Sequence, residues 1–280
     1  MPTWLPRLRD LRTTYGAGRP RTRFAPSVTG RLHLGHLVNA VYVWGLAGAL
    51  EGQVVLRLED HDRGRFRGEY EAAILDDLEW LGLVPDLGGI AAFRAGPSPY
   101  RQSNGVARYE AALDFLRRRG LTYGCECSRA SRAHDDVTDD GDERRYPGTC
   151  RELGLHDAPG RRIRVRMDPG LERFIELGQG TQAQDPADQC GDIVARDVAG
   201  AWTYQFAVTV DDMAQEITLV IRGLDLLAST GRQLRLARLL GREVPPAFLH
   251  HPLVTDAAGR KLSKRDFATS IGEHRAAGLT

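Results

Sequence analysis

Lysine is almost missing from this chain. Lysine and arginine together number 38, yet only Lys261 and Lys264 are lysines. Basic side chains elsewhere are therefore guanidiniums, and two compact ammonium groups are kept three residues apart in one Gly-flanked segment. Long apolar runs are missing too. Nothing approaches the roughly 20 residues of a bilayer span, and the start has no secretory hydrophobic core, so a cytoplasmic protein is expected. Net charge is close to absent, at +1 with 27% charged residues. That excludes a chain-wide attraction to nucleic acid and leaves only local contacts to RNA. Cysteine is scarce, with 4 in 280 residues, which excludes a disulfide framework and in a cytosolic chain favours metal binding.

What is present is enough to fold. At 42% hydrophobic, the chain can bury one large core or about two modest ones. No internal repeat is visible, and residues 1–22 have weak periodicity and read as an extension.

The most informative stretch is Arg23-Phe-Ala-Pro-Ser-Val-Thr-Gly-Arg-Leu-His-Leu-Gly-His36. Arg23 to Ala25 ends a short strand, Pro26 and Gly30 break it, and Leu34, Leu37, Val38, Val41 and Val43 begin a helical stripe. A strand-to-helix turn of this kind presents backbone donors and the positive end of the helix dipole to an anion. His33 and His36, three apart, share one face of the first turn and can donate to a phosphate without a fixed full charge. By themselves they could equally be surface histidines. The far end of the chain tips the reading. Lys261-Leu-Ser-Lys264-Arg265 holds both lysines, and a flexible point charge suits a phosphoryl group moving through its reaction.

Further positions fall at strand ends, where open α/β sheets collect ligands. Val54-Val55-Leu56-Arg57-Leu58 reads as a buried parallel strand ending in Glu59-Asp60-His61-Asp62, and Glu59 there can receive an ammonium group. Glu216 to Ile221 reads as another buried strand, ending at Arg222. Its guanidinium suits a carboxylate ligand, or equally a neighbour such as Asp225. Glu69 to Leu81, the segment around Val106 to Leu116, and Gln233 to Leu240 have helical periodicity. Residues 178–191 read as loop, and Asp192 to Asp197 as the return to the main sheet.

Cys125-Glu-Cys127 and Cys150 place three thiolates at a spacing that suits one zinc, with His134 or Tyr146 as the open choice for a fourth ligand. Such an ion would staple a small subdomain with little core of its own. Cys190 stands apart as an ordinary thiol.

His-Leu-Gly-His and Lys-Leu-Ser-Lys-Arg resemble the two signatures of class I aminoacyl-tRNA synthetases, and Arg-Phe-Ala-Pro-Ser-x-Thr-Gly resembles the glutamyl branch. The resemblance runs from about Arg23 to Arg265. The thiol stretch, with Tyr146 four residues before Cys150, resembles glutamyl-queuosine tRNA(Asp) synthetases, and so does Arg222-Gly-Leu-Asp225, where ordinary glutamyl enzymes tend to carry Glu at the position of Leu224. Only 15 residues follow Arg265, so no anticodon-binding domain is expected. Val28, where the family has proline, frees φ in the loop and is expected to loosen the glutamate pocket without abolishing it.

The resemblance implies an α/β fold, a Rossmann-type catalytic domain with a parallel sheet and an inserted zinc-bearing subdomain. The expected boundaries are an extension over 1–22, a split catalytic domain over 23–120 and 191–245, the insertion over 121–190, and a lysine loop and tail over 246–280. It implies that Arg23, Ser27, Glu59, Tyr204 and Arg222 surround glutamate. His33, Gly35, His36 and Lys264 would bind ATP, with Lys261 helping the loop close and Mg²⁺ arriving with the nucleotide. The zinc ligands would be Cys125, Cys127, Tyr146 and Cys150. The implied reaction forms glutamyl-adenylate and passes glutamate to queuosine in the tRNA(Asp) anticodon loop. Arg117 to Arg119, or Arg144 and Arg145, are candidates for its phosphates. A monomer is expected.

Overall fold

The computed structural model describes residues 19–61, 64–127, 145–255 and 269–278. Three sheets organise it. In the first, β1 (Arg21–Phe24) runs parallel to β2 (Gln53–Leu56), joined through helix α1 (Leu34–Ala49). In the second, β3 (Thr122–Cys125), β4 (Arg162–Val165) and β7 (Ile193–Arg196) are antiparallel. The third has the order β6 (Gly180–Gln184), β5 (Glu172–Glu176), β9 (Ala247–His251), β8 (Leu219–Gly223), with β8, β9 and β5 parallel.

The Thr218 amide donates to the Arg21 carbonyl at 2.9 Å, and the Arg21 amide donates to Thr218 Oγ1 at 2.9 Å. These bonds tie the start of β1 to the start of β8, so the carboxyl ends of β1, β2 and β8 gather on one side. Both strand ends singled out in the sequence, Glu59 and Arg222, come to that side.

Helix α1 begins where it does because His33 caps it. The extended backbone of His33 lets Nδ1 accept from the Gly35 amide, while His36 Nδ1 accepts from the His33 amide, a reciprocal cap. A Cβ at Gly35 would lie 2.9 Å from His33 Cε1, so glycine is what lets the ring fold over the turn. The helix stops at Glu51, in the left-handed region at φ 53°. Its inner face, Ala40, Val43, Leu46 and Ala47, packs with Phe24, Val54 and Leu56, and with Ile74, Leu75 and Leu78 of α2 (Gly68–Trp80).

A second core lies under α4 (Val106–Arg118), which follows the short helix α3 (Ile90–Ala95), and under α6 (Tyr204–Ala214). It joins Tyr109, Leu113 and Leu116 to Ile163, Val165, Ile193 and Phe206. Around the thiols, Tyr123, Cys125, Tyr146 and Cys150 form a small separate cluster, as expected of a subdomain with little core.

Several local expectations change. Residues 178–191 are not simply loop: β6 and helix α5 (Pro186–Gln189) lie there, because β5 offers β6 a full antiparallel partner. Ile193 to Arg196 does not rejoin the main sheet but pairs with β4. The chain returns through α6 instead. β1 starts at Arg21, two residues before the expected boundary. Val28 does not loosen the loop. It is fully buried, and its amide donates to the Glu59 carbonyl at 3.2 Å, a bond proline cannot make. The last helices are α7 (Thr230–Leu239) and α8 (Ile271–Ala276). No helix among the described residues is long and apolar enough to cross a membrane.

Candidate active site

A cavity of about 390 Å³ lies at the carboxyl ends of β1, β2 and β8. Arg23, Glu59, Tyr204 and Arg222 line it, together with His33, Gly35 and His36. These seven come from four distant parts of the chain, and each arrives by a strand end or a helix start. Ser27 is not among the lining residues. Its backbone is bridged to Glu59, and its hydroxyl lies 3.0 Å from that of Thr29.

The two histidines face each other with ring centroids 3.9 Å apart. Each Nδ1 accepts a backbone N–H, so each neutral ring carries its proton on Nε2. The cap also uses the Gly35 amide internally, so the turn recruits imidazole donors in place of one free backbone donor.

Below them is a network of buried charge. Arg23 Nε donates to Asp212 Oδ1 at 3.2 Å, and Arg23 Nη1 to the Ile221 carbonyl at 3.1 Å. Arg57, fully buried, donates to Asp212 at 2.7 Å, to Glu59 at 3.1 Å and to Gln215 at 3.1 Å. Burial pushes the Glu59 carboxyl up, against the downward pull of Arg57. Asp212 is pulled the other way: burial would raise it, but Arg23 and Arg57 hold it below the usual carboxylate range.

Arg222 does not need Asp225 to explain it. Its guanidinium donates to Gln233 at 2.6 Å, to Thr230 at 2.8 Å and to His250 at 3.1 Å, partners from α7 and β9 that hold the fork in place. Burial brings it down to about 10, still cationic at neutral pH.

Asn39, His251, Leu253 and Val254 complete much of the wall and were not singled out in the sequence. Asn39 follows His36 by three on the same helix face, and its amide nitrogen lies 3.1 Å from His251 Nε2. The strand-end rule applied to β9 would have found His251.

Lys261 and Lys264 lie outside the described residues. The chain on either side of them is at the site: Val254 lines the cavity, and Ser270 bridges to His33 while the Ile271 amide donates to the Leu32 carbonyl at 2.9 Å.

Cys125, Cys127 and Cys150 form a second constellation, their sulfurs all within 4.8 Å of one another. Cys127 and Cys150 are 3.4 Å apart, and Tyr146 Oη lies 3.6 Å from Cys125 Sγ and 3.9 Å from Cys127 Sγ. Ligands about 2.3 Å from a tetrahedral metal are roughly 3.8 Å from each other, so the donor set could hold a metal. Tyr146 Oη also accepts the Cys150 amide at 2.8 Å. Burial would raise the Cys125 thiol, but hydrogen bonding, first from Arg164, brings it down to about 7. Cys127 is pushed up to about 11 by burial and by Cys150. His134 and Arg144 lie outside the described residues. Cys190 is buried against the Pro186 and Gly191 carbonyls and takes no part. The candidate RNA contacts are partly occupied already: Arg117 pairs with Asp114, Arg119 donates to the Leu239 carbonyl, and Arg145 to that of Ala187.

The family model for tRNA synthetases class I (E and Q), catalytic domain, matches residues 20–279, which defines the class. Glutamyl-Q tRNA(Asp) synthetase of Nitratidesulfovibrio vulgaris is 41% identical over 273 residues, covering 92% of this chain and 82% of the relative. That of Ralstonia nicotianae is 44% identical over 264 residues, covering 91% and 80%. The chain belongs to the family of these glutamyl-Q tRNA(Asp) synthetases, and is a ligase-type enzyme. The solved glutamate-tRNA synthetase of Elizabethkingia anophelis superposes with TM-score 0.74 at 30% identity, covering 89% of this chain and 53% of that one. A glutamate tRNA ligase of Elizabethkingia meningosepticum, in complex with its amino acid, matches with the same TM-score and identity over 89% and 52%. This chain spans about half the length of those solved synthetases.

Proposed function

We propose that the protein activates L-glutamate with ATP and Mg²⁺ to glutamyl-adenylate and transfers the glutamate to queuosine in the anticodon of tRNA(Asp). The observation that carries this reading is the convergence of Arg23, Glu59, Tyr204 and Arg222 with the His33–His36 turn in one cavity. In the first step the glutamate carboxylate attacks the α-phosphorus of ATP and pyrophosphate leaves. Positioning and charge stabilisation do most of this work. Arg222, clamped by three partners, receives the substrate's side-chain carboxylate, and Glu59 its ammonium. The Nε2 donors of His33 and His36 meet the phosphates, and Lys264 stabilises their developing charge while Lys261 helps close the loop.

The test is transfer of labelled glutamate, with ATP, to tRNA(Asp) with and without queuosine and to tRNA(Glu). Labelling that depends on queuosine is expected. Labelling of tRNA(Glu) alone would overturn the reading.

Glu59 supplies a pH dependence. An ammonium group needs the ionised carboxylate, and burial raises the pH at which Glu59 ionises. The KM for glutamate in pyrophosphate exchange is therefore expected to be low above that raised value and to climb as pH falls through it. A flat KM across the acid range would count against Glu59 in this role.

The thiol cluster would hold one Zn²⁺ through Cys125, Cys127 and Cys150, with Tyr146 as the fourth ligand. The ion would staple the β3 turn to the segment before β4. Elemental analysis is expected to find one zinc per chain, lost in Cys150→Ser together with the thermal stability of this subdomain. Equal zinc in Tyr146→Phe would remove the tyrosine from the ligand set.

A further inference from the structure

A second cavity, of about 860 Å³, lies beside the glutamate pocket. The two are neighbours through the chain itself. Glu59 lines the first and His61 the second, and Tyr204 lines the first where Thr203 lines the second. His61 is held there by a chain of hydrogen bonds whose direction is forced. Asp211, fully buried, accepts from Arg108 at 2.7 Å, from Tyr109 at 2.8 Å and from Gln102 Nε2 at 2.8 Å. A carboxylate so surrounded only accepts, so the Gln102 amide must turn its nitrogen toward it. Gln102 Oε1 then faces His61 Nδ1, at 2.5 Å, and His61 Nδ1 must be the protonated nitrogen. In the neutral ring the remaining nitrogen, Nε2, is the acceptor. This is the reverse of His33 and His36, whose Nδ1 atoms accept.

Resting on the function proposed above, we propose that this cavity admits the acceptor nucleoside of the tRNA and that His61 Nε2 is the general base for its attacking hydroxyl. As the hydroxyl oxygen bonds to the glutamyl carbonyl carbon, its proton passes to His61 Nε2. The bond from that carbon to the phosphate oxygen breaks, and AMP leaves with the electron pair. The imidazolium returns its proton to water after the ester departs. Nothing else in the described wall combines an oriented acceptor nitrogen with a position two residues from Glu59. Glu110 is paired to Arg196 at 3.1 Å, and Asp197 accepts from the Ala199 and Ala201 amides.

The experiment compares two half-reactions in the full chain: ATP–pyrophosphate exchange, and single-turnover transfer of labelled glutamate from preformed adenylate to queuosine-containing tRNA(Asp). In His61→Gly the ratio of transfer to exchange is expected to fall about 100-fold, the usual range for a lost general base. Added imidazole is expected to restore transfer in a concentration-dependent way, which a purely structural defect would not allow. Ala199→Trp, at an exposed position on the cavity wall, is expected to raise the KM for tRNA roughly tenfold by filling the entry. An unchanged ratio in His61→Gly, a loss that imidazole does not touch, or an unaffected Ala199→Trp each overturns the proposal. Absence of exchange in the unaltered protein would overturn the functional reading beneath it.

Discussion

Arg57→Met is expected to destabilise the protein by about 3–5 kcal/mol, the usual result of removing one partner from a buried ionic network. Arg57 has no exposed surface, and it touches three carboxylates: Asp212 at 2.7 Å, Glu59 at 3.1 Å and Asp211 at 3.9 Å. Its own burial works against its charge, and Asp212 more than any other group restores it. With methionine in its place the volume is roughly kept, but Asp212 keeps only part of its cationic surroundings.

The sign of the pH dependence follows. The folded-state value of Asp212 is depressed, so in the unaltered protein its stabilisation is present above the unfolded carboxylate value and is lost as pH falls through the folded one. The penalty of Arg57→Met should accordingly be largest at neutral pH and shrink in acid, where Asp212 protonates in both proteins. Urea unfolding at neutral and acid pH checks this. A penalty of the same size at both would assign the loss to packing rather than charge. Arg94→Ala, in an exposed pair with Asp76 and Glu79, is the control and should leave the midpoint in place.

Arg222→Lys is expected to lower kcat/KM for glutamate about 100-fold while the KM for ATP barely moves. The substitution keeps the charge, so a small effect would be expected if Arg222 were only a point cation. The structure instead holds a planar fork from three directions, through Gln233, Thr230 and His250. An ammonium cannot satisfy those acceptors and meet a ligand carboxylate bidentately. A loss of about 100-fold corresponds to roughly 2.7 kcal/mol, in the range for a desolvated charged contact. Pyrophosphate exchange as a function of glutamate, and separately of ATP, reads the two constants. Equal losses for both substrates would remove Arg222 from glutamate recognition and leave it a prop of β8 and α7.

The parts of the site carried by local rules were legible. His33, Gly35 and His36 act within one turn, so their spacing alone placed them on the cap of α1. Glu59 and Arg222 stand at the ends of apolar runs, and an apolar run in an α/β chain points its carboxyl end toward ligand. Cys125 and Cys127 needed only their separation, and Cys150 joined them as expected.

Other features depended on distant partners. β6 has little apolar patterning, yet it is a strand because β5 lies beside it. Ile193 to Arg196 has the pattern of a sheet strand, but no local signal said which sheet, and pairing with β4 decided it. Val28 looked like a loosened loop because a side chain says nothing about where its amide donates. Only the approach of Glu59 showed that bond.

By itself, then, the sequence determined the residue types at the turn, the strand ends and the thiol cluster, since periodicity and spacing are properties of a few neighbouring residues. The tertiary structure alone decided how those points meet. Arg57 lies far along the chain from the neighbouring Asp211 and Asp212, and it is packing that sets them in one buried network and gives Glu59 its raised carboxyl. Packing also gives His61 an oriented ring and opens a second cavity beside the first. A protonation state or a cavity wall depends on what approaches through space, and spacing along the chain does not encode that.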